Sequence, residues 1–593
     1  MRRGSGAGKR WWSGALAALV AGAAWVGGAA WAEGLPPELE SRAAAPVWRA
    51  FWAVTAIHRP SKGEEAVRRF IETRAAARGC PAERDQAGNL LVRVPATPGL
   101  AGRPSTALQG HLDMVCVTRP GATHRWGIDS IRPVVRDGWL TADDTSLGAD
   151  NGLGVAAMVA LLEGPDLAVR HGPLELLFTV DEEGDFSGVC GLRPGWLQSS
   201  RLINLDSEED GEFNIGCAGG QADTLTFDGA RQEPPPGHVW ARFSVTGGLG
   251  GHSGVDIHRG RANAIVWLAR FLIRVSATVP IRLGSFTGGT VDTAIPTAAS
   301  AIVAVPAREW PAVRRAATAF QSRLHRWFAT TDPGLRFRVE RLPNRSAVGA
   351  LRGPDQDRGA SSGADASADS VGSLPVTAFS PERSAQVLAA LTELPCGIQA
   401  MSRRFPGQVQ TSANPGVIRL ATGPLRLVSH LQGSRLEAIR WLSWRWQTVA
   451  DRFGGALERG EPYPSWEPAA SSPLTDAAVA VHERLCGRRP LLKVVHAGLE
   501  CGAMAPLYPD LDMLSFGPAI VGPHAPGERV EIASVDRFWA LLTTLLAALA
   551  EEPAFAAGPT DTRSEGLPLR CHGWRRETPV SGIAREPADA CRR

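Results

Sequence analysis

Leu174-Glu175-Leu176-Leu177-Phe178-Thr179-Val180-Asp181-Glu182-Glu183-Gly184 is a short apolar run that stops abruptly in three acids. A run of this length with such sharp bounds has the character of a buried strand. Residues 106–109 and 202–205 repeat the pattern and run directly towards His111, Asp113 and Asp206. Helical segments at 47–57, 64–77 and 153–162 are interleaved with these runs, which is α/β rhythm. In open α/β sheets ligands bind at the carboxyl edge of the strands, and the acids and histidines of this chain gather at that edge.

At 593 residues the chain exceeds what one hydrophobic core usually supports, so two or more domains are expected. The pattern changes after the small-residue boundary Cys217-Ala218-Gly219-Gly220, with longer polar strands and helices such as 239–246 and 261–275. We therefore expect a domain inserted over 221–468, between two pieces of one α/β domain at 35–220 and 469–552. Residues 349–373 are rich in Gly, Ser, Ala and Asp, the composition of a flexible insertion, and 553–593 read as a poorly ordered tail.

Charge is nearly balanced, with 63 basic against 60 acidic residues and a net charge of +3. That excludes a nucleic-acid footprint. Arg2, Arg3, Lys9 and Arg10 precede an apolar stretch at 15–32 that ends in Ala30-Trp31-Ala32. This is the layout of a secretory signal peptide, and it leads us to expect an exported, periplasmic protein. The same stretch retained would anchor the chain in a membrane, and a start placed too far upstream would leave the protein cytoplasmic. No later segment reads as membrane-spanning. Nine cysteines without a CxxC pair read as scattered, mostly buried thiols.

Five motifs carry the chemistry: Gly110-His111-Leu112-Asp113, Gly148-Ala149-Asp150-Asn151-Gly152, Asp181-Glu182-Glu183-Gly184, Asn204-Leu205-Asp206-Ser207 and the distant Gly522-Pro523-His524. Imidazole and carboxylate are the donor set of catalytic zinc, and a bridging carboxylate makes a paired site. Alternation along an extended segment puts His111 and Asp113 on one side, so Asp113 can orient the second nitrogen of His111. Asp150 before an apolar helix has a plainer reading as an N-cap, which leaves its flanking glycines unexplained. Of the adjacent Glu182 and Glu183, one can face a metal while the other faces the attacking water, and spacing does not say which.

Taken together, Leu108 through Val115, the Asp150 motif, Val180-Asp181-Glu182-Glu183, Asn204 through Glu209 and Gly216-Cys217-Ala218-Gly219-Gly220 resemble the aminoacyl-histidine (Xaa-His) dipeptidases. The similarity continues through Gly250-Gly251-His252-Ser253-Gly254, Thr411-Ser412-Ala413-Asn414, His496 through Cys501, and Ser515-Phe516-Gly517-Pro518 leading to His524. The resemblance implies a zinc-peptidase catalytic domain with a central mixed sheet flanked by helices, interrupted by an α+β lid that also supports a homodimer. It implies two Zn2+, with Mn2+ or Co2+ as substitutes, bridged by Asp150. His111 and Asp206 complete one site, Glu183 and His524 the other. Glu182 is then the general base, Asp113 counts among the catalytic residues as the partner of His111, and His252 polarises the scissile carbonyl of a dipeptide. Thr293, Ser412, Asn414, His430 and Gly498 are the implied substrate contacts. Thr293 stands where the family has asparagine, and His430 where an arginine for the substrate carboxylate is expected. A related deacylase or carboxypeptidase, and a non-catalytic peptide-binding module of the same fold, are the alternative readings.

Overall fold

The computed structural model describes residues 34–164, 169–343 and 377–551. The candidate signal segment 1–32, the insertion 349–373 and the tail 553–593 lie outside them.

The short apolar runs form the centre of an eight-stranded mixed sheet. Thr106–His111 lies between Leu174–Thr179 and Arg201–Asn204, parallel to both, and Asp512–Ser515 continues the parallel set beside Arg201–Asn204. Every residue of Thr106–His111, Leu174–Thr179 and Arg201–Asn204 is buried, which explains runs without polar alternation: both faces are covered by helices. Antiparallel pairing of Leu90–Val94 with Leu174–Thr179 makes the sheet mixed, as expected.

Helix Ala149–Glu163 buries nearly all its residues, including Leu153, Val155, Met158 and Leu161. It packs between the sheet and helix Ala45–Thr55, whose Trp48 and Phe51 are fully buried. Helix Ile532–Glu551 corrects one expectation, being long and apolar enough to cross a membrane, with mean hydropathy 1.5. Here it is a core helix that buries Val535, Phe538, Leu542, Leu545 and Leu549. Cys80, Cys217 and Cys501 are buried free thiols, while Cys190 departs from the expected pattern and is disulfide-bonded.

A second, nine-stranded sheet begins at once after the first, since Glu212–Cys217 belongs to one and Gly219–Phe227 to the other. Its pairings are antiparallel. Helices Ala264–Ser276, Pro381–Glu393 and Leu436–Arg452 cover one face around a separate core containing Phe243, Phe271, Leu388, Leu427 and Trp446. Strands Ile520–Val521 and Arg529–Glu531 pair with each other, and the latter with Trp139–Ala142. This small sheet carries His524 on its connecting turn.

Candidate metal centre

His111 ends its strand at the carboxyl edge of the sheet, Glu182, Glu183 and Asp206 follow the neighbouring strands at the same edge, and Asp150 lies in the first turn of helix Ala149–Glu163. His111 Nε2 lies 3.1 Å from Asp150 Oδ1, 3.3 Å from Asp206 Oδ1 and 3.9 Å from Glu182 Oε2. On the other side, His524 Nε2 lies 3.0 Å from Asp150 Oδ2 and 2.7 Å from Glu183 Oε1. The two oxygens of Asp150 thus face two different imidazoles. Donor atoms of His111, Asp150 and Asp206 converge within 4.8 Å, as do those of Asp150, Glu183 and His524, and a third group joins His111 to Glu182 and Glu183.

The local chain geometry explains how these groups are held. Gly148 sits at φ 69°, the left-handed region open to glycine, and a Cβ there would press on Arg59 and Met114. A Cβ at Gly152 would lie 2.9 Å from the Phe51 ring and 2.6 Å from Arg59. The glycines that flank Asp150 are therefore there for close packing of this loop. Asn151 donates to Asp206 Oδ1 (2.6 Å) and to the Leu205 carbonyl (2.8 Å), joining two of the motifs.

Asp113 lies 3.4 Å from His111 Nδ1 through Oδ1 and also accepts the backbone N–H groups of Glu182 (3.1 Å) and Glu183 (3.0 Å), with Ser61 Oγ donating to Oδ2. The Asp113 carbonyl is nearer to His111 Nδ1, at 3.2 Å. Asp113 therefore positions both glutamates as well as the histidine. Burial and the Glu183 and Asp206 carboxylates push the Glu182 carboxyl well above the usual range.

Two supporting residues escaped sequence reasoning. Glu528, four residues past His524, is 2 % exposed and accepts the N–H groups of Leu147, Gly148, Ala149 and Asp150 at 2.8, 2.9, 2.7 and 3.3 Å. Arg59 is fully buried and donates to the carbonyls of Leu112, Asp113 and Gly148. Neither sits in a periodic pattern; an acid placed just after a histidine turn was the signal available for Glu528.

Glu500 lies in the same layer, fully buried, and accepts from Gln109 Nε2 and from Thr179 Oγ1 (2.7 Å). Burial pushes its carboxyl up to about 8 from 4.5. An acid whose pKa rises on folding favours the protonated native state, so stability is full below the unfolded value and falls as pH climbs towards the folded one. In metal-free protein, Glu500→Gln is expected to unfold at a higher denaturant midpoint than the unchanged chain near pH 8, with the gap closing near pH 4.5. Equal pH slopes for the two proteins would refute this assignment.

The second sheet places the remaining candidates. His252 Nδ1 accepts the N–H groups of Gly254 (3.1 Å) and Val255 (3.0 Å), which puts the ring proton on Nε2. Burial lowers its pKa to about 4, helped by His430 and His524. Ser412 Oγ lies 2.8 Å from His496 Nε2. Asn414 donates to the carbonyls of Asp292 (2.9 Å) and Ala294 (2.8 Å), and the Thr293 carbonyl accepts Ser253 N–H (2.7 Å). Gly498 belongs instead to the first-sheet side, in the connection between strand Leu491–Val495 and helix Glu500–Met504. His430 has both nitrogens engaged, with Asp292 Oδ2 and Tyr463 Oη at 3.1 Å each.

Comparison with known proteins gives the family of the chain. The chain is 35% identical over 509 residues to the cytosol non-specific dipeptidase of Escherichia coli (strain K12), covering 86% of this chain and 98% of that protein. It superposes on the crystal structure of aminoacylhistidine dipeptidase from Vibrio alginolyticus with a TM-score of 0.71 at 34% identity, covering 86% of this chain and 98% of that one. The Escherichia coli protein is a cytosol enzyme by name, and this finding overturns the expectation of export. The profile of peptidase family M20/M25/M40 matches residues 107–548, a span that begins within the strand ending at His111 and runs past His524, and so the chain belongs to that family of peptide-bond hydrolases.

Proposed function

We propose that the protein is a dipeptidase of the Xaa-His type working with two zinc ions. The observation that carries the reading is the division of Asp150 between two sets of donors, His111 with Asp206 and Glu183 with His524. The donor set fits divalent cations on its own chemistry. Glu183 Oε1 is buried and meets His524 Nε2 at 2.7 Å, but not in the alignment of a regular hydrogen bond. Four carboxylates crowd two imidazoles here, an excess of negative charge that is costly when buried without cations. When bound, a pair of zinc ions supplies Lewis acidity and brings the pKa of a shared water down towards about 7.

The residues of the chain do the rest. Glu182, held by Asp113 through its backbone N–H, takes a proton from the attacking water and returns it to the leaving amine. His252, neutral and with its proton on Nε2, donates to the oxyanion that develops on the scissile carbonyl. The second sheet and its helices act as the lid that brings His252, Ser412 and Asn414 to the substrate, while Gly498 comes from the side of the first sheet. Exposed Trp441 and Trp444 on helix Leu436–Arg452, beside Ile398 and Met401 on strand Gly397–Met401, support a homodimer through this lid. The similarity to two dipeptidases over nearly their whole lengths supports the substrate class.

The test is amine release from a panel of Xaa-His and other dipeptides, N-acyl amino acids and longer peptides, with zinc and with chelator. Dipeptide cleavage that chelator stops and zinc restores is the expected result. Cleavage confined to N-acyl amino acids would indicate a deacylase, and zinc binding without any cleavage a binding module.

A further inference from the structure

The underside of the lid carries a charge that the mechanism above does not use. Strands Val409–Leu420 and Leu425–Gly433 pair with Ser412 opposite Gln432 and Asn414 opposite His430, so these four side chains share one face. Ala413 and Leu431 point the other way, into the lid core. One end of the polar face meets the catalytic layer. There Ser412 contacts His496, Ser253 Oγ donates to Gln432 Oε1 (3.3 Å), and a Cβ on Gly254 would lie 1.9 Å from the His496 carbonyl. At the other end lies Asp292, its backbone carbonyl held by Asn414 and its carboxylate by His430. Ala294 bridges to His252 and the Thr293 carbonyl accepts Ser253 N–H (2.7 Å), so Asp292 lies beside the His252 turn.

A hydrogen-bonded chain runs from Asp292 through His430 to Tyr463. A carboxylate only accepts, so His430 Nδ1 donates to Asp292 Oδ2, while Nε2 lies 3.1 Å from the Tyr463 hydroxyl. Burial works against the ionised Asp292 carboxyl, but the His430 hydrogen bond and the neighbouring backbone N–H groups prevail and hold it below its usual range, so it carries a negative charge. Its side chain is 28 % exposed against 6 % for His430, so the carboxylate rather than the ring is open to solvent. Among the described residues no arginine or lysine pairs with Asp292, whose partner is His430.

We propose that Asp292 is a specificity-determining residue that selects dipeptides bearing a basic side chain, lysine or arginine, through its carboxylate. The proposal rests on the dipeptidase reading and adds the charge class of the substrate. His430 then serves as a positioning residue that fixes Asp292, and does not stand in for a guanidinium that would grip a carboxylate.

The experiment uses the full zinc-loaded chain and compares lysine dipeptides with their norleucine counterparts, which keep the side-chain length and drop the ammonium. A lysine-to-norleucine ratio in kcat/KM of about ten or more is expected, the scale of one partly desolvated charge pair. Asp292→Asn is expected to bring the ratio to about one and Asp292→Glu to keep most of it. A ratio near one in the unchanged protein, or a ratio that Asp292→Asn leaves intact, would overturn the assignment. Should Asp292→Asn fail to fold, the salt dependence of the ratio in the unchanged protein decides: a charge contact weakens as ionic strength rises, and a flat ratio overturns it. Cleavage of neither dipeptide would overturn the dipeptidase reading instead.

Discussion

Glu182→Gln is expected to lower kcat by a factor of roughly 10²–10⁴, the range that a positioned general base contributes, while the metal content of the protein stays as it was. Glutamine has the shape of glutamate and cannot take up the proton. Its backbone N–H keeps the bond to Asp113, so the neighbouring Glu183 stays where it is. The distinction matters because the Glu182 carboxylate stands only 3.9 Å from His111 Nε2 and forms one of the three donor groups at the site. A ligand and a base make opposite predictions. Loss of metal together with activity would move Glu182 into the ligand set, and undiminished kcat would remove it from the mechanism. The same measurement on Asp113→Ala should show a mixed result, since Asp113 supports His111 and both glutamates at once.

How far the sequence spoke depended on what kind of signal each residue left. The buried strands were legible because both faces are covered, which turns 174–180 and 202–205 into mostly apolar runs that lead into acids. Their edges shifted by a residue, with strands at Leu174–Thr179 and Arg201–Asn204, because hydrogen bonding and not hydrophobicity ends a strand. His111, Asp150, Glu183 and Asp206 stood out as polar residues in places where burial is costly. His524 lies more than three hundred residues further on; no local pattern links it to Asp150, and only the resemblance of the motifs brought it into the group. The apolar stretch at 15–32 showed the opposite failure. Composition alone suggested export, and a relative that is cytosolic by name outweighs it. Helix Ile532–Glu551 taught the same lesson in reverse, since apolarity all around a helix marks burial in a protein core as well as in a membrane.

Glu528 left no periodic trace, yet Glu528→Ala is expected to have the largest effect on stability of any change near the site. Its carboxylate collects four consecutive backbone N–H groups, from Leu147 to Asp150. Each buried donor left unpaired costs about 1–3 kcal/mol, against a total stability of roughly 5–15 kcal/mol for a domain. Water entering the space would recover part of that loss but could not hold the loop in one conformation. Asp150 moves with this loop, and so does the division of its two oxygens between His111 and His524. Glu528 also follows His524 on the turn between Ile520–Val521 and Arg529–Glu531. One carboxylate therefore ties the C-terminal turn to the loop of the bridging aspartate, 378 residues away in sequence. Metal affinity in Glu528→Ala should fall by about 10- to 100-fold, as for loss of a group that orients a ligand, together with a clear drop in unfolding midpoint. Glu528→Gln should do little better, because its amide nitrogen would face two of the four donors. A Glu528→Ala protein with unchanged midpoint and unchanged metal affinity would show that the Asp150 loop holds its shape without this anchor.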